Sequence, residues 1–122
     1  MKTNENRHYA VIDNYKRKLT LKYKDEIVAE SEDALILKEV GTSVYDPVFY
    51  LPKEDIKVKI DKEPQRNSHC PIKGDATYWN LNAKPTEDYF AWSYEEALPS
   101  TKKIEGYIAF NPVNITFISE PI

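Results

Sequence analysis

The residue types able to do chemistry stand closest together between Ser68 and Trp79. That stretch, Ser68-His69-Cys70-Pro71-Ile72-Lys73-Gly74-Asp75-Ala76-Thr77-Tyr78-Trp79, holds the only cysteine, one of two histidines, one of three glycines and one of two tryptophans. A thiolate is a nucleophile or a redox sensor, and a nearby cation raises its population by lowering the thiol pKa. His69 and Lys73 flank Cys70, so Cys70 and Lys73 are the candidates for catalysis. The plainer alternative is a buried cysteine acting as a small apolar plug, with Pro71 shaping the turn. Lys73-Gly74 can present an ammonium and open backbone N–H groups to a phosphate or carboxylate, Gly74 allowing the positive φ such a concavity needs. A solvated lysine beside a turn glycine fits the same residues.

The chain also carries nine tyrosines, four phenylalanines and two tryptophans. Trp79, Trp92, Tyr94 and Tyr107 fall on three expected strands. Two-residue spacing puts Trp92 and Tyr94 on one sheet face. If Trp79 and Tyr107 share that side, the four wall a cleft suited to a flat ring or a cation. Aromatic residues on strands equally build cores. The candidate ligand-binding set is therefore Cys70, Lys73, Gly74, Trp79, Trp92, Tyr94 and Tyr107.

Other candidates have weaker patterns. Glu54, Asp55, Asp75 and Asp88, with Asp61-x-Glu63, are carboxylates of the kind nucleotidyl transfer uses in pairs on a metal. Three glycines in total leave no phosphate-cradling loop, and most of these acids fit solvated or capping positions. One cysteine excludes a multi-thiolate zinc site and an internal disulfide. No metal and no cofactor are expected. Lys16, Lys18, Lys22 and Lys24 form a basic stripe that reads as a solvated outer face, and His8 belongs to a terminus, residues 1–8, expected to be loosely held.

Short strands must position these groups. Leu19, Leu21 and Tyr23 alternate with lysine and threonine, Lys24-Asp25-Glu26 turns the chain, and Ile27-Val28-Ala29 begins the return strand of a hairpin. Residues 34–39 and 48–51 read as further strands, and Pro52-Lys53-Glu54-Asp55 as one helical turn. Ile56, Val58 and Ile60 restore alternation, while residues 61–67, polar and carrying Pro64, read as a loop. Strands follow at 77–81, 89–94, 106–110 and 115–118, with a proline-containing loop over 95–103. The expectation is an all-β, mainly antiparallel domain over residues 1–122, with one or two short helical turns.

Composition bounds the partners. Seventeen basic against 20 acidic residues give a net charge of −3, whereas nucleic-acid binding needs clustered cations to displace counterions. No nucleic acid is expected as a partner. No apolar run approaches the roughly 20 residues of a membrane helix, and Met1 to Asn6 has no apolar signal core. No membrane partner is expected either. A reducing, cytoplasmic setting fits the single thiol.

Several stretches together resemble a bacterial family catalogued as domain of unknown function 427. They are Glu26-Ile27-Val28-Ala29-Glu30-Ser31, Phe49-Tyr50-Leu51-Pro52-Lys53-Glu54-Asp55-Ile56, Cys70-Pro71-Ile72-Lys73-Gly74-Asp75-Ala76-Thr77-Tyr78-Trp79, Ala91-Trp92-Ser93-Tyr94 and Ile104-Glu105-Gly106-Tyr107-Ile108-Ala109-Phe110. They keep the family's order and span nearly the whole chain. The resemblance implies a β-tent, a pair of antiparallel sheets pinned at one end and splayed at the other. Distant relatives of that fold carry zinc and grip small ligands in aromatic cages, but the paired Cys-x-x-Cys knuckles are missing here. Ile72, Ala97 and Asn111 depart from residues common in the family. Its nucleotidyltransferase-like label is a name and no site. The expectation is a module binding a small flat metabolite, nucleotide- or base-like, beside the Cys70–Gly74 turn. The alternatives are a small enzyme, by thiol chemistry at Cys70 or by nucleotidyl transfer, and an interaction protein without ligand, as monomer or homodimer.

Overall fold

The computed structural model describes residues 8–82 and 86–122. Of the amino-terminal stretch expected to be loosely held, residues 1–7 lie outside the described residues. Alternation of apolar and polar residues drives the chain into ten strands among the described residues. They are β1 (Tyr9–Asn14), β2 (Lys18–Tyr23), β3 (Glu26–Ser31), β4 (Leu35–Val40), β5 (Val48–Tyr50), β6 (Ile60–Cys70), β7 (Gly74–Leu81), β8 (Ala91–Ser93), β9 (Ile108–Phe110) and β10 (Thr116–Glu120). Three 3₁₀ turns, Lys53–Asp55, Pro99–Ile104 and Pro112–Asn114, interrupt them. The last two begin with proline, whose fixed φ suits a first helical position. No helix among the described residues is long and apolar enough to cross a membrane.

All pairings are antiparallel, in three sheets ordered β1-β4-β5, β10-β2-β3 and β6-β7-β8-β9. The first and third sheets are pinned where Leu51 and Ile108 exchange two backbone hydrogen bonds of 2.8 Å. The β2–β3 hairpin with β10 forms the remaining sheet, so the described residues make three sheets where the resemblance implies a pair. Register sorts the side chains of the four-stranded sheet. Trp79, Ala91 and Phe110 stand opposite one another, as do Tyr78, Trp92 and Ala109. Successive residues on a strand point to opposite faces. The Trp79 face packs on Leu19, Leu21, Val28 and Ala29 of the outer hairpin. The Trp92 face packs on Leu35, Leu37 and Tyr50 of the first sheet. Each fully buried leucine contributes about 1.5–3 kcal/mol relative to its exposed form.

Four segments differ from expectation. Residues 56–59, expected to alternate as a strand, instead lean on β3 through the Ala29–Ile56 bridge and the Lys57 N–H to Val28 carbonyl bond. Pro99–Ile104, expected as loop, winds into a 3₁₀ turn that starts at the proline and brings the helical turns to three among the described residues. Residues 61–67 belong to β6 and not to a loop. β6 is an edge strand, where the missing N–H of Pro64 costs no ladder bond, and the pairing shifts register between Lys62 and Asn67 to pass it. β1 occupies residues to which the sequence pattern assigns no element. Its outward positions Tyr9 and Val11 are as apolar as its inward Ala10 and Ile12, so alternation is masked.

Candidate functional site

The Cys70-Pro71-Ile72-Lys73-Gly74 segment is the tip of the β6–β7 hairpin, with Cys70 paired to Gly74. The Lys73 N–H donates to the Cys70 carbonyl at 3.3 Å. Gly74 sits at φ +105°, where a Cβ would come within 3.1 Å of the Glu96 carbonyl; only glycine takes that conformation without strain. The tip is tied to the 95–104 segment: Leu98 N–H donates to the Lys73 carbonyl at 3.1 Å and Thr101 Oγ1 to the Ile72 carbonyl at 2.8 Å. These contacts fix the tip against the 95–104 segment, and the Lys73 N–H is spent on the Cys70 carbonyl rather than open to an anion.

Lys73 is largely buried. The residue is 9% exposed, its Nζ donates to Glu39 Oε1 at 2.9 Å, and it lies 5.5 Å from the centre of the Tyr94 ring. The other Glu39 oxygen is 2.6 Å from His8 Nε2. Burial pushes the Glu39 carboxyl up, but hydrogen bonds and charge from Lys73 and His8 outweigh it and hold the pKa below the ordinary value. Lys73 is therefore an internal counterion. The terminal His8, given little weight from sequence, completes the knot.

Cys70 is half-buried against the cluster of Tyr50, Tyr94 and Trp92. Neither cation expected to assist it is available. Lys73 bonds Glu39, and His69 Nδ1 lies 2.8 Å from Asp75 Oδ1 on the exposed side of the hairpin. Tyr50 and Tyr94 complete this face. Burial, the largest effect on each, raises both hydroxyls far above the usual phenol range, so both stay neutral.

Trp92 is half-buried and joins two environments. Its Nε1–H donates to Tyr50 Oη at 3.4 Å, and its ring meets Tyr50 and Tyr89 edge-on, at 6.4 and 5.9 Å. It also walls a cleft of about 320 Å³ with Phe49, Phe110 and Phe117, closed by Pro47, Val48 and Pro112 and with Asp46 in its lining. That volume is at the small end of ligand pockets, and the lining is nearly all apolar, as such sites are.

The structure does not gather the four aromatic residues expected to wall one cleft. Trp92 and Tyr94 share a face, as two-residue spacing requires. Trp79 points to the opposite face, 6% exposed, with its Nε1–H donating to Ser93 Oγ at 3.0 Å. Its odd offset from Trp92 across the Trp79–Ala91 pair decides this. Lys53 and Lys62 lie 5.0 and 5.6 Å from its ring. Tyr107 lines two polar recesses, one with Lys16 and Lys103 and one with Lys53, Glu54 and Glu105, and neither includes Trp92.

The carboxylates do not converge either. Asp75 bonds His69, Asp88 pairs with Arg66 at 2.8 Å, Asp61 accepts from Asn82, and Glu63 accepts from Arg66 and Asn80. Among the described residues no three His, Cys, Asp or Glu side chains are grouped to hold a metal ion. Glu39 and Tyr50 of the knot and Phe49, Phe110, Phe117 and Asp46 of the cleft are not among the candidates that residue type and spacing single out. Asp46-Pro47 and Asn111-Pro112, two turn signals each beside a phenylalanine strand, were the available clue to the cleft.

A family model for a domain of unknown function, DUF427, matches residues 11–119. The chain belongs to that family. No curated protein matches it. In this DUF427 domain the Cys70–Gly74 block forms the hairpin tip over the Glu39 knot, and Ala91-Trp92-Ser93-Tyr94 supplies the strand that carries both the knot's ring and the cleft's wall. Ala97, one of the departures from the family pattern, is buried and donates its N–H to Glu105 at 3.0 Å, a bond that a proline there could not make.

Proposed function

We propose that this DUF427 domain is a binding module whose cleft, walled by Phe49, Trp92, Phe110 and Phe117, holds a small flat molecule. One observation carries the proposal: among the cavities formed by described residues, this cleft joins four aromatic side chains to a nearly apolar lining. Flat rings gain from offset or edge-on contact with such walls beyond the area they bury. The site differs from the one expected in lying on the Phe110–Pro112 side of Trp92 rather than against Lys73. Thiol chemistry and nucleotidyl transfer have less support, since the cations are bound to carboxylates and the acids are dispersed.

The two tryptophans make the test direct, because they give two indole N–H resonances. Titration with naphthalenemethanol should shift the Trp92 resonance and leave that of Trp79 in place, and Trp92→Leu should abolish binding seen by calorimetry. A ligand at roughly 100 times its Kd should add about 2.7 kcal/mol to stability. Unmoved resonances, or binding that survives Trp92→Leu, would rule the cleft out.

A second reading has its own observation. Tyr9, Val11 and Val44 are exposed, and the Tyr9–Val40 and Val40–Val44 pairings set Tyr9 and Val44 on either side of Val40, on one outer face of the first sheet. An apolar patch of this kind suits a second copy of the chain. Light scattering that gives a monomer mass at high concentration would remove this reading.

A further inference from the structure

The cleft's polar features select a charge. Asp46 is the one ionisable residue in its lining, and among the described residues no cation pairs with that carboxylate. No lysine or arginine lines the cleft. Hydrogen-bond donors are equally scarce. Pro47 and Pro112 have no N–H to offer. The Trp92 Nε1–H is directed at Tyr50, and the Asn111 side chain beside Phe110 donates to the Tyr89 carbonyl at 3.1 Å and accepts from Val113. An anion entering here would lose its water and gain no donor, which is costly. A cation would meet a carboxylate and aromatic walls whose π-systems attract positive charge, both contacts strengthened by partial desolvation.

We infer that the ligand of this cleft is a flat organic cation, an aromatic ring bearing a protonated amine or quaternary nitrogen. The inference rests on the cleft being the binding site, and it reverses the polarity expected from Lys73, whose charge Glu39 already neutralises. Aromatic walls would take the ring, while Asp46 would take the charge at the rim. The net charge of −3 adds a weak long-range bias in the same direction.

Three probes of one shape separate charge from ring: naphthylmethylammonium, naphthalenemethanol and naphthoate, titrated by calorimetry with the Trp92 indole resonance as reporter of position. The cation should bind about tenfold more tightly than the alcohol, equivalent to about 1.4 kcal/mol, and naphthoate should bind weakest. Asp46→Asn, at an exposed position, should erase the preference for the cation and leave the alcohol's affinity unchanged. Added salt should narrow the preference. Equal binding of all three, or a preference that survives Asp46→Asn, would overturn the cation and leave the cleft standing. Tightest binding of naphthoate would overturn it as well. A Trp92 resonance that no probe moves would remove both the cleft and its charge selection.

Discussion

Lys73 and Asp46 are opposite cases of a charged residue meeting aromatic rings. Lys73 is buried over Tyr94 with its charge closed by Glu39 and, beyond it, His8. Asp46 is exposed at the rim of a cleft of phenylalanine and tryptophan, with no cation among the described residues to answer it. Trp92 and Tyr50 connect the two regions. A charged residue type does not by itself mark a site; the fold decides whether that charge has a partner. The knot has the residue types of a reactive centre and functions as internal bracing. The cleft has an ordinary carboxylate and is left open.

The strongest way to break the contrast is to open the knot. Lys73→Met leaves the Glu39 carboxylate without its buried ammonium, and a loss of about 3 kcal/mol is expected in urea unfolding. Adding Glu39→Leu should recover most of that loss, because apolar replacement of both members of a buried pair is often near neutral. A Lys73→Met protein as stable as the parent would show that the knot braces nothing.

Acid titration should act on the same bond more gently. The Glu39 pKa is lowered in the fold from an ordinary value of 4.5. Its charged form therefore contributes stability that is fully present above that value and is lost as pH falls through the lower, folded one. The gap in urea midpoint between the parent and Glu39→Gln should close as pH falls below the ordinary value of 4.5 toward the lowered, folded one. A gap that widens on acidification would contradict the assigned direction.

The smallest effect tests whether knot and cleft act independently. Tyr50→Phe removes the hydroxyl that accepts from Trp92. Stability should fall by about 1 kcal/mol, the usual net worth of such a bond. Affinity for naphthalenemethanol should not change, since the Tyr50 ring stays in place. A large loss of affinity would mean that the bond positions Trp92 as a wall of the cleft.

Much of the fold was readable locally. The Leu19-Leu21-Tyr23 alternation and the Lys24-Asp25 turn specify the β2–β3 hairpin, and Pro52 marks the 3₁₀ turn at Lys53–Asp55. The reactive-looking stretch was correctly placed at a turn entering a strand. β6 was hidden because its edge position tolerates a proline and polar residues that would exclude a central strand. Whether Trp79 shares a side with Trp92 is open in the sequence, although each strand's own alternation is plain, because their relative facing depends on the register between β7 and β8.

The sequence by itself therefore determined the family, the β2–β3 hairpin and most of the other strands and turns, since these follow from period-two patterning and short motifs that neighbouring residues satisfy together. It did not determine β1 or the proline-bearing part of β6. The tertiary structure alone decided that Lys73 meets Glu39, a partner 34 residues away, and that Asp46 meets no cation among the described residues. Coulombic and aromatic contacts depend on separation in space. That separation is set by how the sheets are pinned at Leu51 and Ile108 and by strand register, and no local pattern encodes either.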